Sequence, residues 1–283
     1  MKPTAVVLLS GGLDSAVTAA IAARECGQLQ ALSFNYGQRH AVELEAAKRV
    51  AHHLKIHQTV IDLDMRHCQF ASALTGALEV PKGGVNPNAI PITYVPGRNT
   101  ILLSYALSFA EAVSAQSIYI GVNALDYSGY PDCRPEFIQA FNRVAALATR
   151  YQHTISVLTP LISLSKVEII QLGKKLGVDL SLTHSCYDPW PTGEACGSCD
   201  SCRIRKKGFA DADVPDPTRY APGSPEELRR FYLGMCEQIA AKHSACPQRE
   251  AHWEENGRGR WRTCASLIEE EIRHAIGSRK KRA

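Results

Sequence analysis

Short apolar runs alternate along the chain with longer segments whose apolar residues recur at helical spacing. The first run, 5–9, is continuously apolar and rich in valine, which is typical of a strand buried on both faces of a parallel sheet. The predicted strands span 5–9, 29–34, 57–63, 117–121 and 155–158, and the predicted helices span 14–24, 41–54, 100–114, 135–151 and 165–176. The alternation predicts an α/β fold, a Rossmann-like parallel sheet with helices on both faces.

The order of the strands decides where such a sheet binds a ligand. Ligands lie beyond the carboxyl ends of the strands, at the point where the strand order reverses. An order of 3-2-1-4-5 places that reversal between the first and the fourth predicted strands. The loops 10–15 and 122–134 would then flank one crevice, with the polar loop 35–40 along its side.

A glycine-rich turn joins the first predicted strand to the first predicted helix, with the sequence Ser10-Gly11-Gly12-Leu13-Asp14-Ser15. A strand, a glycine-rich turn and a helix together present backbone N–H groups and a positive helix end to phosphate. The turn matches neither G-x-x-x-x-G-K-[ST] nor G-x-G-x-x-G. An aspartate beside polyphosphate would be repelled without a cation between them, so Asp14 implies Mg²⁺. The alternative is a plain tight turn in which Asp14 caps the helix.

The Ser-Gly-Gly-x-Asp-Ser turn resembles the pyrophosphate loop, or PP-loop, of the N-type ATP pyrophosphatases. In that superfamily the loop holds the β- and γ-phosphates of ATP while a nucleophile attacks the α-phosphate, which yields an adenylated substrate and pyrophosphate. The resemblance implies an adenine nucleotide alpha hydrolase-like fold and catalytic roles for Ser10, Asp14 and Ser15. It also implies that Lys166, at the start of a predicted helix, reaches the phosphates. The residues expected to bind ATP are Leu9, Ser10, Gly11, Gly12, Leu13, Asp14, Ser15, Ala16, Val17, Thr18 and Ala19.

The loop 122–134 is dense in polar and aromatic residues. Aromatic rings can stack on a flat heterocycle, carboxylates can accept hydrogen bonds from an amino-pyrimidine edge, and arginine can bind a phosphate or a carboxylate. The alternative is an ordinary hydrophilic connection. Cys133 lies in this loop, and we expect a packed thiol, because adenylation needs no thiol nucleophile. The candidate substrate-binding residues are Tyr36, Arg98, Asp126, Tyr130, Asp132 and Arg134.

Three segments, 34–40, 95–99 and 121–134, together with a cysteine cluster, are similar to the 7-cyano-7-deazaguanine synthase family of the queuosine precursor pathway. The similarity runs from the first strand to about Tyr220. It implies a cytoplasmic ligase that converts 7-carboxy-7-deazaguanine and ammonia, with ATP, to 7-cyano-7-deazaguanine (preQ0), AMP and pyrophosphate, through an adenylate and an amide. A homodimer is an expectation from the family alone. The alternatives are another PP-loop adenylating enzyme, such as a tRNA thiolase, and a non-catalytic zinc module that binds RNA or protein.

The cysteine cluster consists of Cys186, Cys196, Cys199 and Cys202 in one short stretch rich in glycine and proline. Four thiolates with no open position form a closed tetrahedral zinc site. An iron–sulfur cluster is the alternative, because C-x2-C-x2-C also begins a ferredoxin-type run. The family resemblance favours one structural zinc ion per chain.

Composition and charge narrow the class of protein further. The chain has 283 residues, a formal net charge of +4 and ten cysteines. This charge does not by itself predict a nucleic-acid partner, and no apolar run approaches the roughly 18 residues of a membrane span. We expect no secretory leader, so the cysteines indicate metal-binding or free thiols. We expect a PP-loop ATP-binding domain over 1–180, a zinc-binding lobe over 181–222 and a helical extension of unknown role over 223–283.

Overall fold

The computed structural model describes residues 2–38, 42–63, 65, 72–75, 78–82, 90–125, 130–150, 155–190 and 193–221. The chain divides into two compact units, 1–220 and 221–283, and the α/β fold belongs to the first of them. The predicted boundary at residue 180 stays a prediction. None of the described helices is long and apolar enough to cross a membrane.

Strands and helices alternate along the chain as the hydrophobic pattern predicts. The strands are β1 Thr4–Leu8, β2 Gln28–Asn35, β3 His57–Asp62, β4 Ser117–Tyr119 and β5 Ser156–Leu158. The helices are α1 Leu13–Glu25, α2 Val42–His53, α3 Arg98–Ala112, α4 Pro135–Ala148, α5 Lys166–Lys175 and α6 Asp200–Asp211. Helix α4 is shorter than predicted. It ends before Thr149, whose backbone is extended.

The five strands form one parallel sheet in the order β3-β2-β1-β4-β5, which is the order considered in the sequence analysis. The central strand β1 pairs with β2 on one side, where Val6 lies opposite Gln30. On its other side β1 pairs with β4, where Val6 lies opposite Ile118. The strand order therefore reverses between β1 and β4, which predicts a crevice beyond their carboxyl ends.

Each face of the sheet supports its own layer of the core. Val6 and Leu8 belong to a cluster that includes the buried residues of α3 and α4. Ala5 and Val7 belong to a second cluster with the buried residues of α1, α2 and α5. Burying one large apolar side chain stabilises a fold by about 1.5–3 kcal/mol. The two clusters together hold the sheet rigid beneath the loops at its carboxyl end.

The turn after β1 packs tightly against α2. Gly11 has a φ of +89°, and a Cβ at this position would lie 2.3 Å from the Glu43 carbonyl oxygen and 2.6 Å from the Ala47 nitrogen. The carbonyl oxygen of Gly11 also accepts a hydrogen bond from the His184 backbone N–H at 2.8 Å. Only glycine fits here, because the position requires both a left-handed backbone and the space of a missing side chain.

Gly11→Ala should therefore destabilise the protein more than an alanine substitution at a glycine that has a positive φ but no close neighbours. Overpacking of this kind costs about 1–3 kcal/mol, in addition to about 1–2 kcal/mol for a left-handed alanine. Gly177→Ala is the matched control, since Gly177 has a φ of +72° but nothing within 4 Å of an added Cβ. Thermal unfolding of both variants checks this prediction, and equal losses would contradict the tight packing of Gly11 on α2.

Candidate active site

A cavity of about 250 Å³ opens at the reversal between β1 and β4. The loop after β1, the loop after β4 and the loop after β2 all contribute to its wall, as the strand order predicts. Its polar and ionisable lining includes Ser10, Asp14, Ser15, Tyr36, Gln38, Glu43, Arg98, Asn99, Asn123, Tyr130, Cys133, Lys166, His184, Ser185, Tyr187, Ser201 and Arg205. Leu9, Leu32, Phe34 and Leu102 are among its apolar members.

The hydroxyl groups of the PP-loop are fixed within the loop itself. Ser10 Oγ donates to Ser15 Oγ at 3.1 Å, and Ser15 Oγ donates to the Gly12 carbonyl oxygen at 3.0 Å. Gly12 precedes the first residue of α1, so the N-terminus of that helix opens into the cavity. The predicted ATP segment extends past this point. Its last four residues, Ala16, Val17, Thr18 and Ala19, are buried in α1 and do not line the cavity.

Lys166 reaches the PP-loop from α5. Its Nζ donates to both oxygens of the Asp14 carboxylate, at 2.7 and 2.9 Å. A capping box fixes the start of α5, because Ser165 Oγ accepts from the Glu168 N–H while the Glu168 carboxylate accepts from the Ser165 N–H. The hydrogen bonds from Ser165 also lower the pKa of Glu168. The cap thus places Lys166 at the first turn of α5, against Asp14.

Arg98 brings a guanidinium group into the cavity from the start of α3. Its Nη1 donates to the Tyr36 hydroxyl at 3.2 Å, and its Cζ lies 5.7 Å from the centre of the Tyr36 ring. Gly97, with a φ of +65°, turns the chain into α3 at this point. A guanidinium group carries five N–H donors, so this contact leaves most of them for a ligand. The site can therefore bind a carboxylate or a phosphate through Arg98.

Tyr130 forms part of the cavity wall. Its hydroxyl lies 2.8 Å from Thr93 Oγ1 in a buried hydrogen bond, and its ring lies 5.6 Å from that of Tyr94. Burial raises the pKa of Tyr130, so the hydroxyl is neutral at physiological pH. The ring is thus held in place as one side of the cavity.

In the structure Asp132 caps a helix, a role that the sequence does not indicate. Its buried carboxylate accepts a hydrogen bond from the Asn99 backbone N–H at 2.9 Å and so caps the start of α3. The Asn99 side chain in turn donates to the Asp132 carbonyl oxygen and to Cys133 Sγ. Asp132 and the exposed Arg134 do not line the cavity, and Asp126 lies outside the described residues. Asp132 therefore positions the helix turn that carries Arg98.

Cys133 is a packed thiol, as expected. Its side chain is buried, and burial together with the neighbouring Asp132 carboxylate raises its pKa to about 11. A thiol with such a pKa is almost entirely protonated at neutral pH and is a poor nucleophile.

Two charged residues line the cavity that the sequence analysis does not single out, Glu43 on α2 and Arg205 on α6. Burial raises the pKa of Glu43 to about 7, although the charge of Arg98 opposes the rise. Arg205 is almost fully buried and donates to Thr183 Oγ1 at 2.8 Å and to Asp216 Oδ1 at 3.1 Å. Along the sequence both residues lie on amphipathic helices, where a charged residue normally indicates a solvated face. For Arg205 alone the sequence offers a clue, because it lies three residues, or about one helical turn, after Cys202 of the cysteine cluster.

The four cysteines of the cluster converge on one point. Their Sγ atoms all lie within 4.8 Å of one another, and those of Cys186 and Cys199 are 4.0 Å apart. A tetrahedral zinc site with Zn–S bonds of about 2.3 Å has sulfur atoms about 3.8 Å apart. Each cysteine of a four-iron cluster binds a separate iron atom, which requires a wider spacing. The geometry therefore fits a single metal ion.

Backbone N–H groups donate to two of the four sulfur atoms, which favours the thiolate form that binds metal. Cys186 Sγ accepts hydrogen bonds from the N–H groups of Asp188 and Cys196, at 3.3 and 3.2 Å. Cys196 Sγ accepts from the Cys199 N–H at 3.3 Å. Because α6 carries Cys202 and Arg205 one turn apart, the cluster is joined directly to the cavity wall.

A parallel sheet, a crevice at its strand reversal and a Ser-Gly-Gly-x-Asp-Ser turn contacted by Lys166 define an ATP-using enzyme of the PP-loop class. The family model described as "QueC: Queuosine biosynthesis protein QueC" matches residues 4–213. The chain belongs to this family.

Two named relatives match this chain over nearly the whole of their own length. The 7-cyano-7-deazaguanine synthase of Desulfatibacillum aliphaticivorans is 58% identical over 229 residues, which cover 78% of this chain and 98% of the relative. The enzyme of the same name from Paramagnetospirillum magneticum is 56% identical over 228 residues, which cover 78% of this chain and 100% of the relative. A solved 4-thiouridine synthetase–RNA complex with bound ATP is 16% identical, with a TM-score of 0.43 over 86% of this chain and 53% of the other. A likeness at that level carries no functional argument.

Asp132→Ala should destabilise the fold, because it leaves the buried Asn99 N–H without its acceptor. The expected loss is about 1–3 kcal/mol. Asp132→Asn, which keeps one acceptor oxygen, should retain most of the stability. Thermal unfolding measures both. If Asp132→Ala unfolds like the unmodified protein and only the KM of the substrate rises, Asp132 binds substrate and does not cap α3.

Proposed function

We propose that this enzyme converts 7-carboxy-7-deazaguanine and ammonia to 7-cyano-7-deazaguanine, with ATP giving AMP and pyrophosphate. The observation that carries the proposal is the placement of Arg98 and the PP-loop in one cavity. Arg98 is suited to bind a carboxylate, and the PP-loop is suited to bind polyphosphate. Adenylation requires the substrate carboxylate to lie beside a phosphate of ATP. The name and the high identity of the relatives support the choice of acid.

Adenylation makes the carboxylate reactive by turning one of its oxygens into a leaving group. Arg98 would hold the carboxylate while one oxygen attacks the α-phosphate of ATP and pyrophosphate departs. The N-terminus of α1, the hydroxyls of Ser10 and Ser15, and the ammonium group of Lys166 would stabilise the departing charge. Each oxygen of the Asp14 carboxylate accepts one hydrogen bond from Lys166 and keeps a further lone pair, and Mg²⁺ prefers such oxygen donors, so Asp14 would hold the Mg²⁺ that shields the phosphates.

The nitrile requires two replacements at the same carbon. Ammonia first displaces AMP from the adenylate and gives the amide. The amide oxygen must then leave as well, and a second adenylation would convert it to a leaving group. A cavity that keeps the carboxyl carbon beside the PP-loop can perform both activations without releasing the amide.

The aromatic side of the cavity would receive the heterocycle. Tyr36 and Tyr130 line it with their rings, and Tyr187 lies on the same wall. Asp126, Asp132 and Arg134 belong to the predicted substrate loop. Asp132 would act from behind the wall, by fixing α3 and thus Arg98.

The cysteine cluster would hold one structural zinc ion per chain. Zinc would tie the segment 186–199 to α6, and α6 contributes Arg205 to the cavity. Four reduced thiolates are stable in a reducing compartment, which supports a cytoplasmic location. From the family resemblance alone we also propose a homodimer, no direct nucleic-acid partner, and a division into domains 1–180, 181–222 and 223–283.

The purified enzyme, supplied with 7-carboxy-7-deazaguanine, ATP and ammonium, should form a nitrile and AMP. Mass spectrometry of the products and chromatography of the nucleotides check both. Asp14→Asn is the control, because it keeps the size of the side chain but loses the charge that would hold Mg²⁺, and it should release little pyrophosphate. ADP in place of AMP, or a thiolated tRNA in place of the nitrile, contradicts the proposal.

The purified enzyme should also be colourless and contain close to one zinc per chain by elemental analysis. Cys199→Ser should lose the metal and lower the unfolding temperature, because a structural zinc contributes directly to folding. Cys26→Ala removes a buried free thiol outside the cluster and should keep the zinc. A brown protein with visible charge-transfer absorption would indicate iron–sulfur instead.

A further inference from the structure

Glu43 is a carboxyl group in the cavity that the adenylation step does not use. It is the second residue of α2, and its backbone carbonyl lies against Gly11 of the PP-loop. Its side chain lines the cavity. Within the described ranges of the chain, no group donates a hydrogen bond to its carboxyl.

The charged group that acts on Glu43 is Arg98 from α3, and the Tyr36 hydroxyl also lies within its electrostatic reach. Asp14 and Lys166, the other charged groups of the ATP side, are paired with each other. The remaining ionisable residues of the described cavity wall are Tyr130, Cys133, His184, Tyr187 and Arg205. Burial brings the pKa of Glu43 to about 7, where a carboxyl can both hold and release a proton at physiological pH.

The amidation step needs such a group, and this part of the argument rests on the proposed function. Ammonia is mostly ammonium at neutral pH, and ammonium has no lone pair with which to attack a carbonyl carbon. A negative carboxylate attracts ammonium, and a base within hydrogen-bond distance can take its proton. The base must lie close to the acyl carbon of the adenylate, which ammonia attacks.

The position of Glu43 matches the reacting end of the substrate. Arg98 would hold the substrate carboxyl, and Glu43 is electrostatically coupled to Arg98. Gly11, against which Glu43 packs, belongs to the loop where pyrophosphate departs. Glu43 therefore lines the same cavity as Arg98 and the PP-loop, which is where the adenylated carboxyl would lie.

We propose that Glu43 binds ammonium in the cavity and accepts a proton from it, as the catalytic base of amidation. One N–H bond of ammonium breaks and its proton moves to the Glu43 carboxylate. The lone pair set free forms the C–N bond with the acyl carbon, and the C–O bond to AMP breaks. The nitrogen then gives a second proton to solvent, which leaves the neutral amide.

Glu43→Gln tests the proposal, because it keeps the shape of the side chain and removes the base. ATP–pyrophosphate exchange with 7-carboxy-7-deazaguanine should continue at close to the normal rate. The kcat/KM for ammonium should fall by roughly 10²- to 10⁴-fold, the usual contribution of a general base. Glu43→Asp should recover part of this loss. Glu45→Gln is the matched control, since Glu45 is exposed on the same helix and should change neither quantity.

Hydroxylamine as the nucleophile distinguishes a variant that has lost only the catalytic base from one whose binding site is damaged. It is largely unprotonated at neutral pH, so it can attack the adenylate without a base. Glu43→Gln should therefore form the hydroxamate about as fast as the unmodified enzyme does. The pH profile gives a second readout. With ammonium limiting, the normal rate should rise as Glu43 ionises through about pH 7, and the variant should follow only the fraction of free ammonia.

Three results would overturn the proposal. Loss of pyrophosphate exchange in Glu43→Gln would place Glu43 in adenylation or in folding. A higher KM for the acid with a normal response to ammonium would show that Glu43 binds the amino-pyrimidine edge. A loss with hydroxylamine as large as the loss with ammonium would exclude a role in deprotonation. Failure of the proposed function looks different, because the unmodified enzyme would then show no exchange with this acid.

Discussion

The ion pair between Asp14 and Lys166 joins two parts of the chain that are 152 residues apart, and the architecture of the cavity depends on it. Both side chains are largely shielded from water, with exposed fractions of 20% and 11%. A charge in such a place is stable only with a partner, since removing one member of a buried pair typically costs about 3–5 kcal/mol. The pair therefore holds α5 against the PP-loop. It also keeps a carboxylate and an ammonium group where phosphate and its counter-ion would bind.

Close packing extends this arrangement toward the cysteine cluster. A Cβ on Gly208 of α6 would lie 2.4 Å from the Lys166 Cγ, so α6 packs directly on the side chain that reaches Asp14. Helix α6 carries Cys202 of the cluster at one turn and Arg205 at the next. Arg205 also ties α6 to Thr183, in the segment that leads to the first cysteine. A metal in the cluster would thus stabilise the wall of the cavity from behind.

The other side of the cavity is governed by desolvation. Arg98 and Glu43 both lie among apolar and aromatic side chains, where a charged group is less stable than in water. The positive charge of Arg98 limits the rise of the Glu43 pKa and leaves it near neutrality. Both groups line the cavity, and no direct hydrogen bond joins them among the described residues. Asp14 and Lys166 differ in this respect, because they are joined by direct hydrogen bonds.

Local patterns in the sequence were enough to predict the sheet, the PP-loop and the cysteine cluster. These patterns are an apolar run, a glycine-rich turn after it, and four thiols at short spacing. Alternating strands and helices leave few ways to wind a parallel sheet, and the structure decides which strand order is adopted. Lys166 was a candidate only through the resemblance to PP-loop enzymes, and the structure adds the capping box of Ser165 and Glu168 that fixes its position.

The choice of charged residues that face the cavity came from tertiary packing alone. Glu43 and Glu45 are both acidic residues in the first turn of α2, yet Glu43 lines the cavity while Glu45 is exposed. The packing of α2 on Gly11 sets that rotation, and no local pattern encodes it. Asp132 and Arg98 show the same limit. The sequence makes both of them candidates for substrate contacts, but the hydrogen bond from Asn99 turns Asp132 into the cap of α3 and leaves Arg98 in the cavity. Which side chain meets the ligand depends on long-range packing, because burial and hydrogen-bond partners come from segments distant in the chain.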